Sequence, residues 1–213
     1  MAHEHDHEHD DHEHDHHEHD HHEHDHDAHE HELTDAEARA EAERLIRRDV
    51  ALAQIRQYGD PVLRMRAAEV QEADDELRRI TERMIGLMHE AEGVGLAATQ
   101  VGILRRFFVC TLEGEDRVLV NPVVTPVGKD TEVDQEGCLS LGPIRVPVER
   151  AAKVEVDATD ENGEPVSLEL EGTDARVVQH ELDHLDGTLI IDRTEPDARR
   201  EALRQLRPRL LLA

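Results

Sequence analysis

Aromatic side chains are nearly missing: the 213 residues include no tryptophan and only Tyr58, Phe107 and Phe108. A surface for stacking nucleic-acid bases is therefore not expected. Positive charge is also scarce, with 24 Lys and Arg against 51 Asp and Glu, a formal charge of -27. Such a chain is poorly suited to tracking a phosphate backbone. No run of about 18 apolar residues exists, so no membrane span is expected. The N-terminus shows no basic segment followed by an apolar one, which argues against a secretory signal and for a cytoplasmic protein. Cysteine occurs only as Cys110 and Cys138. In a reducing compartment these are expected as free thiols, with a Cys110–Cys138 disulfide as the lesser alternative.

The charge is unevenly spread. Residues 1–32 contain 15 His and 14 Asp or Glu, with only Met1, Ala2 and Ala28 besides. Without that stretch, 37 acids face 24 bases, a charge of -13. Residues 1–32 offer no apolar surface to offset ordering entropy, so they are expected to form a disordered tail. Interleaved imidazoles and carboxylates suit loose binding of several divalent ions; a purely solubilising tail is the bland alternative. Residues 33–49 are rich in Ala, Glu and Arg, and Thr34 with Glu37 three residues on resembles a capping box. They read as a surface helix or helical linker. Residues 50–213, about 164 in all, are long enough to bury roughly two-thirds of their unfolded surface around one core.

Within that unit, residues 74–92 carry Leu77, Ile80, Met84, Leu87, Met88 and Ala91 at helical spacing. Gly93 is expected to cap this helix. Residues 106–112, 117–124, 153–159 and 166–171 read as strands, the last two joined by a hairpin at Glu161-Asn162-Gly163. Residues 173–190 read as a second helix, and Pro196 opens a C-terminal one. Strands in the middle, with helices before and after, predict an α+β fold.

The sharpest local signal is His180-Glu181-Leu182-Asp183-His184. On a helix, positions i and i+4 share a face, so both imidazoles can grip one metal ion beside a carboxylate base. The H-E-x-x-H pattern also occurs four times in the tail, from His3, His12, His17 and His22, so the pattern alone decides little. Its surroundings do more. Val178, Leu182, Leu185 and Leu189 form an apolar stripe that would turn this helix toward a core. A catalytic metal wants a third protein ligand. No histidine follows His184, which leaves Cys138 in Glu136-Gly137-Cys138-Leu139-Ser140, or Glu195 or Glu201 as in a metalloprotease. A third element, Gly93-Val94-Gly95-Leu96-Ala97-Ala98-Thr99-Gln100, combines glycines for close backbone approach with an amide suited to an oxyanion. It follows a helix and lacks a third spaced glycine and a lysine, which excludes a nucleotide loop.

Together, in this order, the three elements resemble the peptide deformylase family. Its G-x-G-x-A-A-x-Q, E-G-C-L-S and H-E-x-D-H motifs correspond to residues 93–100, 136–140 and 180–184. Residues 57–64, Asn121-Pro122 and the Asn162-Gly163 hairpin extend the likeness over about residues 54–195. The resemblance implies antiparallel β-sheets around a central metal-binding helix. It implies Cys138, His180 and His184 as ligands of one divalent metal, Fe²⁺ in the cell, with Ni²⁺, Co²⁺ or Zn²⁺ able to substitute. Glu181 would be the general base and then the acid; Gln100 and the Leu139 N–H would hold the oxyanion. Gly95 and Arg145 would contact the substrate, an N-formylmethionyl nascent peptide. Leu141-Gly142-Pro143 departs from the proline many members place soon after C-L-S, which bears on the substrate rim alone. Because the family acts on nascent chains, Arg199, Arg200, Arg204, Arg207 and Arg209 suggest ribosome docking through the C-terminal helix.

Overall fold

The computed structural model describes residues 34–206. The His-rich tail, Arg207 and Arg209 lie outside the described residues. Helix α1 (Asp35–Leu52) begins at the capping box foreseen from sequence: Glu37 N–H donates to Thr34 Oγ1 and Thr34 N–H donates to the Glu37 carboxylate. Its first three turns are exposed, and Ala51 is the buried anchor at its far end. Helix α2 (Asp75–Glu90) is capped by Asp74 and buries Leu77, Thr81, Met84 and Met88 along one stripe.

Among the described residues seven strands follow: β1 (Gly95–Ala97), β2 (Phe107–Leu112), β3 (Glu115–Pro126), β4 (Thr131–Gly137), β5 (Arg145–Ala151), β6 (Lys153–Thr159) and β7 (Pro165–Glu171). Five form an antiparallel sheet in the order β1-β2-β3-β6-β7, while β4 and β5 form a separate hairpin. The α+β expectation and the antiparallel sheets hold. Strand β2 is buried on both faces, which explains its unbroken apolar run. Phe107 and Val109 pack toward α2, whereas Phe108, Cys110 and Leu112 face the opposite layer. That layer is helix α3 (Gly172–Leu185), whose Val177, Val178 and Leu185 join the same cluster. A third cluster joins the β4–β5 hairpin to α4 (Ile190–Arg193) and α5 (Pro196–Leu206) through Val146, Val148, Ile191 and Ala202.

Several details correct the sequence expectations. The left-handed residue that ends α2 is Glu92, not Gly93. Glu92 N–H donates to the His89 carbonyl and Gly93 N–H to the Met88 carbonyl, a Schellman arrangement one residue early. Arg44 and Arg48 of α1 pair with the Glu92 carboxylate. The helix expected over residues 173–190 stops at Leu185, because Gly187 turns left-handed at φ 74°. Leu189 therefore leaves the stripe of Val178 and Leu185 and packs in the third cluster. The β4–β5 hairpin and β1 were not foreseen. β4 exposes its first five residues and so lacks apolar alternation, and β1 is three residues long.

A bulge in β3 centres on Asn121, at φ 50°. Its side chain accepts from Val70 N–H and donates to the Val70 carbonyl, both at 2.9 Å, stitching residues 65–71 to the sheet. Asn tolerates this conformation better than other residues with a β-carbon. Replacing Asn121 by Ala removes both bonds and adds backbone strain. A loss of about 2 kcal/mol in urea unfolding is expected, with full stability in Asn121→Ala being the contrary result.

Candidate metal centre

Three elements converge on one point. α3 presents His180 and His184 one turn apart, and Cys138 stands just past the end of β4. The Cys138, His180 and His184 ligand atoms lie within 4.8 Å of one another. Cys138 Sγ is 3.2 Å from His184 Nε2. Tetrahedral bonds of about 2.3 Å to sulfur and 2.0–2.1 Å to nitrogen separate the two donors by roughly 3.6 Å, so a modest adjustment accommodates an ion. The donor chemistry, one thiolate and two imidazoles, fits a borderline divalent metal. Glu195 and Glu201 do not join this cluster: both are exposed, and Glu201 pairs with Arg204. Cys110 and Cys138 are free, and Cys110 is core. Burial pushes the Cys110 thiol well above the usual thiol range.

One carboxylate, Glu136, orients the His180 imidazole. His180 Nδ1 lies 3.0 Å from Glu136 Oε2, which leaves Nε2 for a metal. Arg150 grips Glu136 with Nε and Nη2 at 2.9 and 3.0 Å, and Arg176 adds a contact at 2.8 Å. Burial alone would raise the Glu136 carboxyl, but its bonds to His180 and Arg150 outweigh that and hold it well below the usual carboxylate range. Arg176 also donates to the Val148 and Glu132 carbonyls, tying α3 to the hairpin that carries Cys138. Burial pushes His184 well below its ordinary value, aided by the nearby His180 and Arg150. A neutral imidazole is the ligating form.

Glu181 is 4% exposed, and burial raises its carboxyl to about 7, against the opposing pull of His180. Its Oε2 is buried and has no hydrogen-bond partner among the described residues. A carboxylate so placed is poised to exchange a proton near neutrality. Gln100 Oε1 accepts from Ala97 N–H at 2.8 Å, which turns Nε2 toward Ser140 Oγ at 3.1 Å and Cys138 Sγ at 3.7 Å. Leu139 is held by its carbonyl, which accepts from Gln57 Nε2 at 3.2 Å. Gly93 has a reason other than capping: a β-carbon there would meet Leu139 Cδ1 at 2.8 Å.

Gly95 is buried in β1 against the Glu181 side chain. A β-carbon at Gly95 would come within 2.3 Å of Glu181 Oε1 and 2.8 Å of its Cδ. Gly95→Ala is therefore expected to displace the carboxylate and cut kcat roughly a hundredfold. Metal content should stay intact; near-normal kcat in Gly95→Ala would show that Glu181 tolerates the shift. Arg145 stands apart. It opens β5, is exposed, and makes no ion pair among the described residues.

Sequence reasoning left Glu136, Ser140, Arg150, Arg176 and Asp183 without roles. Glu136, Ser140 and Asp183 lie inside the motifs. Arg150 and Arg176 carry no spacing signal, because their partner lies on another element.

Fold and donors define a candidate metal-hydrolase centre, with Cys138, His180 and His184 as the candidate ligand set. The polypeptide deformylase family model matches residues 52–200. A peptide deformylase of Thermotoga sp. (strain RQ2) is 50% identical over 151 residues, 71% of this chain and 92% of that protein. That of Chromohalobacter salexigens is 41% identical over 158 residues, 73% and 93% of the two chains. The crystal structure of peptide deformylase from Thermotoga maritima superposes with a TM-score of 0.65 at 49% identity, covering 67% of this chain and 97% of that one. The Synechococcus elongatus enzyme in complex with actinonin gives 0.68 at 43% identity, covering 71% and 85%. This chain belongs to the peptide deformylase family, metal-dependent hydrolases that remove the N-formyl group from the N-terminal methionine of nascent proteins.

Proposed function

We propose that Cys138, His180 and His184 hold one divalent metal, Fe²⁺ in the cell, and that Glu181 acts as general base and then acid. Ni²⁺, Co²⁺ or Zn²⁺ would also suit the donors. The convergence of these three donors with Glu181 and the Gln100 amide carries this reading. A bound ion supplies Lewis acidity, polarising a carbonyl and lowering the pKa of water. Glu181 takes a proton from the attacking water and returns it to the departing amine nitrogen. Gln100 Nε2 and the Leu139 N–H donate to the oxygen of the formyl carbon as it becomes an oxyanion. Gly95 offers backbone bonds to the peptide, and Arg145 meets it further along. Water and the formamide bond yield formate and a free amine. The test is formate release from an N-formylmethionyl peptide by anaerobically prepared protein, with metal content measured alongside. Faster loss of activity in air for the Fe²⁺ form than for the Ni²⁺ form supports iron; equal half-lives count against it.

The same reading assigns residues 50–213 as the catalytic unit, residues 33–49 as a helical appendage, and the cytoplasm as its place. No helix among the described residues is long and apolar enough to cross a membrane. Ribosome docking through α5 rests on its arginines, of which Arg199, Arg200 and Arg204 pair with Asp192, Asp197 and Glu201. Low-salt co-sedimentation with ribosomes that persists after removal of residues 196–213 would reject it. Residues 1–32 are assigned a metal-gathering role on their 15 histidines. Full-length protein should bind several Zn²⁺ or Ni²⁺ ions beyond the one held by residues 50–213 at pH 7.5. Equal stoichiometry ends that proposal.

A further inference from the structure

Helix α3 carries a buried acid that the reaction does not use. Asp183 stands between the two histidines in sequence, is 6% exposed, and belongs to a chain of charged side chains. Arg150 Nη1 donates to its Oδ2 at 2.6 Å. Arg193, the last residue of α4, grips it from outside, Nη2 to Oδ1 at 2.5 Å and Nε to Oδ2 at 3.1 Å. The chain runs Arg193, Asp183, Arg150, Glu136, His180. Its inner links are buried; only the Arg193 side chain is half exposed, at 51%.

Two buried carboxylates, Glu136 and Asp183, share the single guanidinium of Arg150. Each is costly to bury without a cationic partner. Arg176 supplements Glu136, and Arg193 supplements Asp183. Without Arg193, Asp183 depends on Arg150 alone and draws it away from the two-pronged grip on Glu136. Glu136 then loses the geometry that fixes His180 Nδ1. α4 itself is well anchored: Asp192 accepts from Leu189 N–H and pairs with Arg64 and Arg199. Arg193 is thus presented from a fixed backbone.

We infer that Arg193 is a positioning residue for the metal ligand His180, acting through Asp183, Arg150 and Glu136 to slow metal loss. The inference rests on His180 being a ligand. The experiment uses full-length protein given one equivalent of Co²⁺. Release to excess EDTA is followed through the thiolate-to-Co²⁺ absorption bands, which residues 1–32 cannot give because they contain no cysteine. Arg193→Ala should speed release about fivefold, below the 10- to 100-fold typical of a direct outer-shell partner, and shift the Co²⁺ bands. Arg193→Lys should recover part of the retention, since it restores charge without the fork. In a Glu136→Gln background, Arg193→Ala should add nothing, because the route to His180 is already cut. Wild-type release and spectrum in Arg193→Ala would overturn the inference, even with a lowered Tm. So would an undiminished effect of Arg193→Ala in the Glu136→Gln background. His180→Ala in the same assay separates the two readings: wild-type retention there would overturn ligation by His180 itself.

Discussion

Replacing Glu181 by Gln is expected to leave metal content unchanged and to lower kcat about a thousandfold, within the range for a lost general base. The two side chains have nearly the same shape, so the buried site beside Gly95 should accept Gln without repacking. What disappears is the ability to take up and return a proton. Burial has raised the Glu181 carboxyl to about 7, placing that exchange near neutral pH. KM should change little, because no role in peptide binding is assigned to this carboxylate. Metal analysis and formate release on the same preparation make the test. Comparable turnover by a metal-loaded Glu181→Gln protein would remove Glu181 from the mechanism.

The second large effect concerns Cys138, the proposed sulfur ligand. Cys138→Ala leaves His180 and His184 as the only protein donors, and two imidazoles on one helix are an incomplete catalytic set. Metal affinity should fall by more than the roughly 10- to 100-fold of an outer-shell change, and activity should fall with it. Cys138→Ala also removes the sulfur that Gln100 Nε2 approaches at 3.7 Å, although Ser140 Oγ still fixes that amide. Folding should survive, since Cys138 is a small member of the third core cluster beside Leu141, Ile144 and Val146. A Cys138→Ala protein that keeps one tightly bound ion would point to a carboxylate ligand instead. Glu195 and Glu201 are exposed and outside the cluster, so that outcome would require α5 or the residue before it to move.

Local chemistry explains what was legible. The Thr34 capping box, the apolar stripe of α2 and the hairpin at Asp160–Glu164 follow from interactions within a few residues. Asp160 Oδ1 accepts from Asn162 and Glu164 N–H, and Gly163 supplies the positive φ. The same locality misled at the end of α2. Gly93 looks like a cap, yet the left-handed residue is Glu92, stabilised from α1 by Arg44 and Arg48. Strand β4 was invisible because five of its residues face solvent and it pairs with β5 alone.

Sequence by itself determined the family, because the order and spacing of the three motifs that carry Gln100, Cys138, His180, Glu181 and His184 define it. Only the tertiary structure decided what those donors lean on. Glu136 reaches His180 across 44 residues, Arg150 spans β5 to α3, and Gly95 clears room for Glu181. Such contacts join elements far apart in the chain, so no local periodicity encodes them. They exist because β2 is packed between α2 and α3, while Arg176 and Gln179 fasten the β4–β5 hairpin to α3. That packing brings a cysteine just past one strand to within 3.2 Å of a helix histidine.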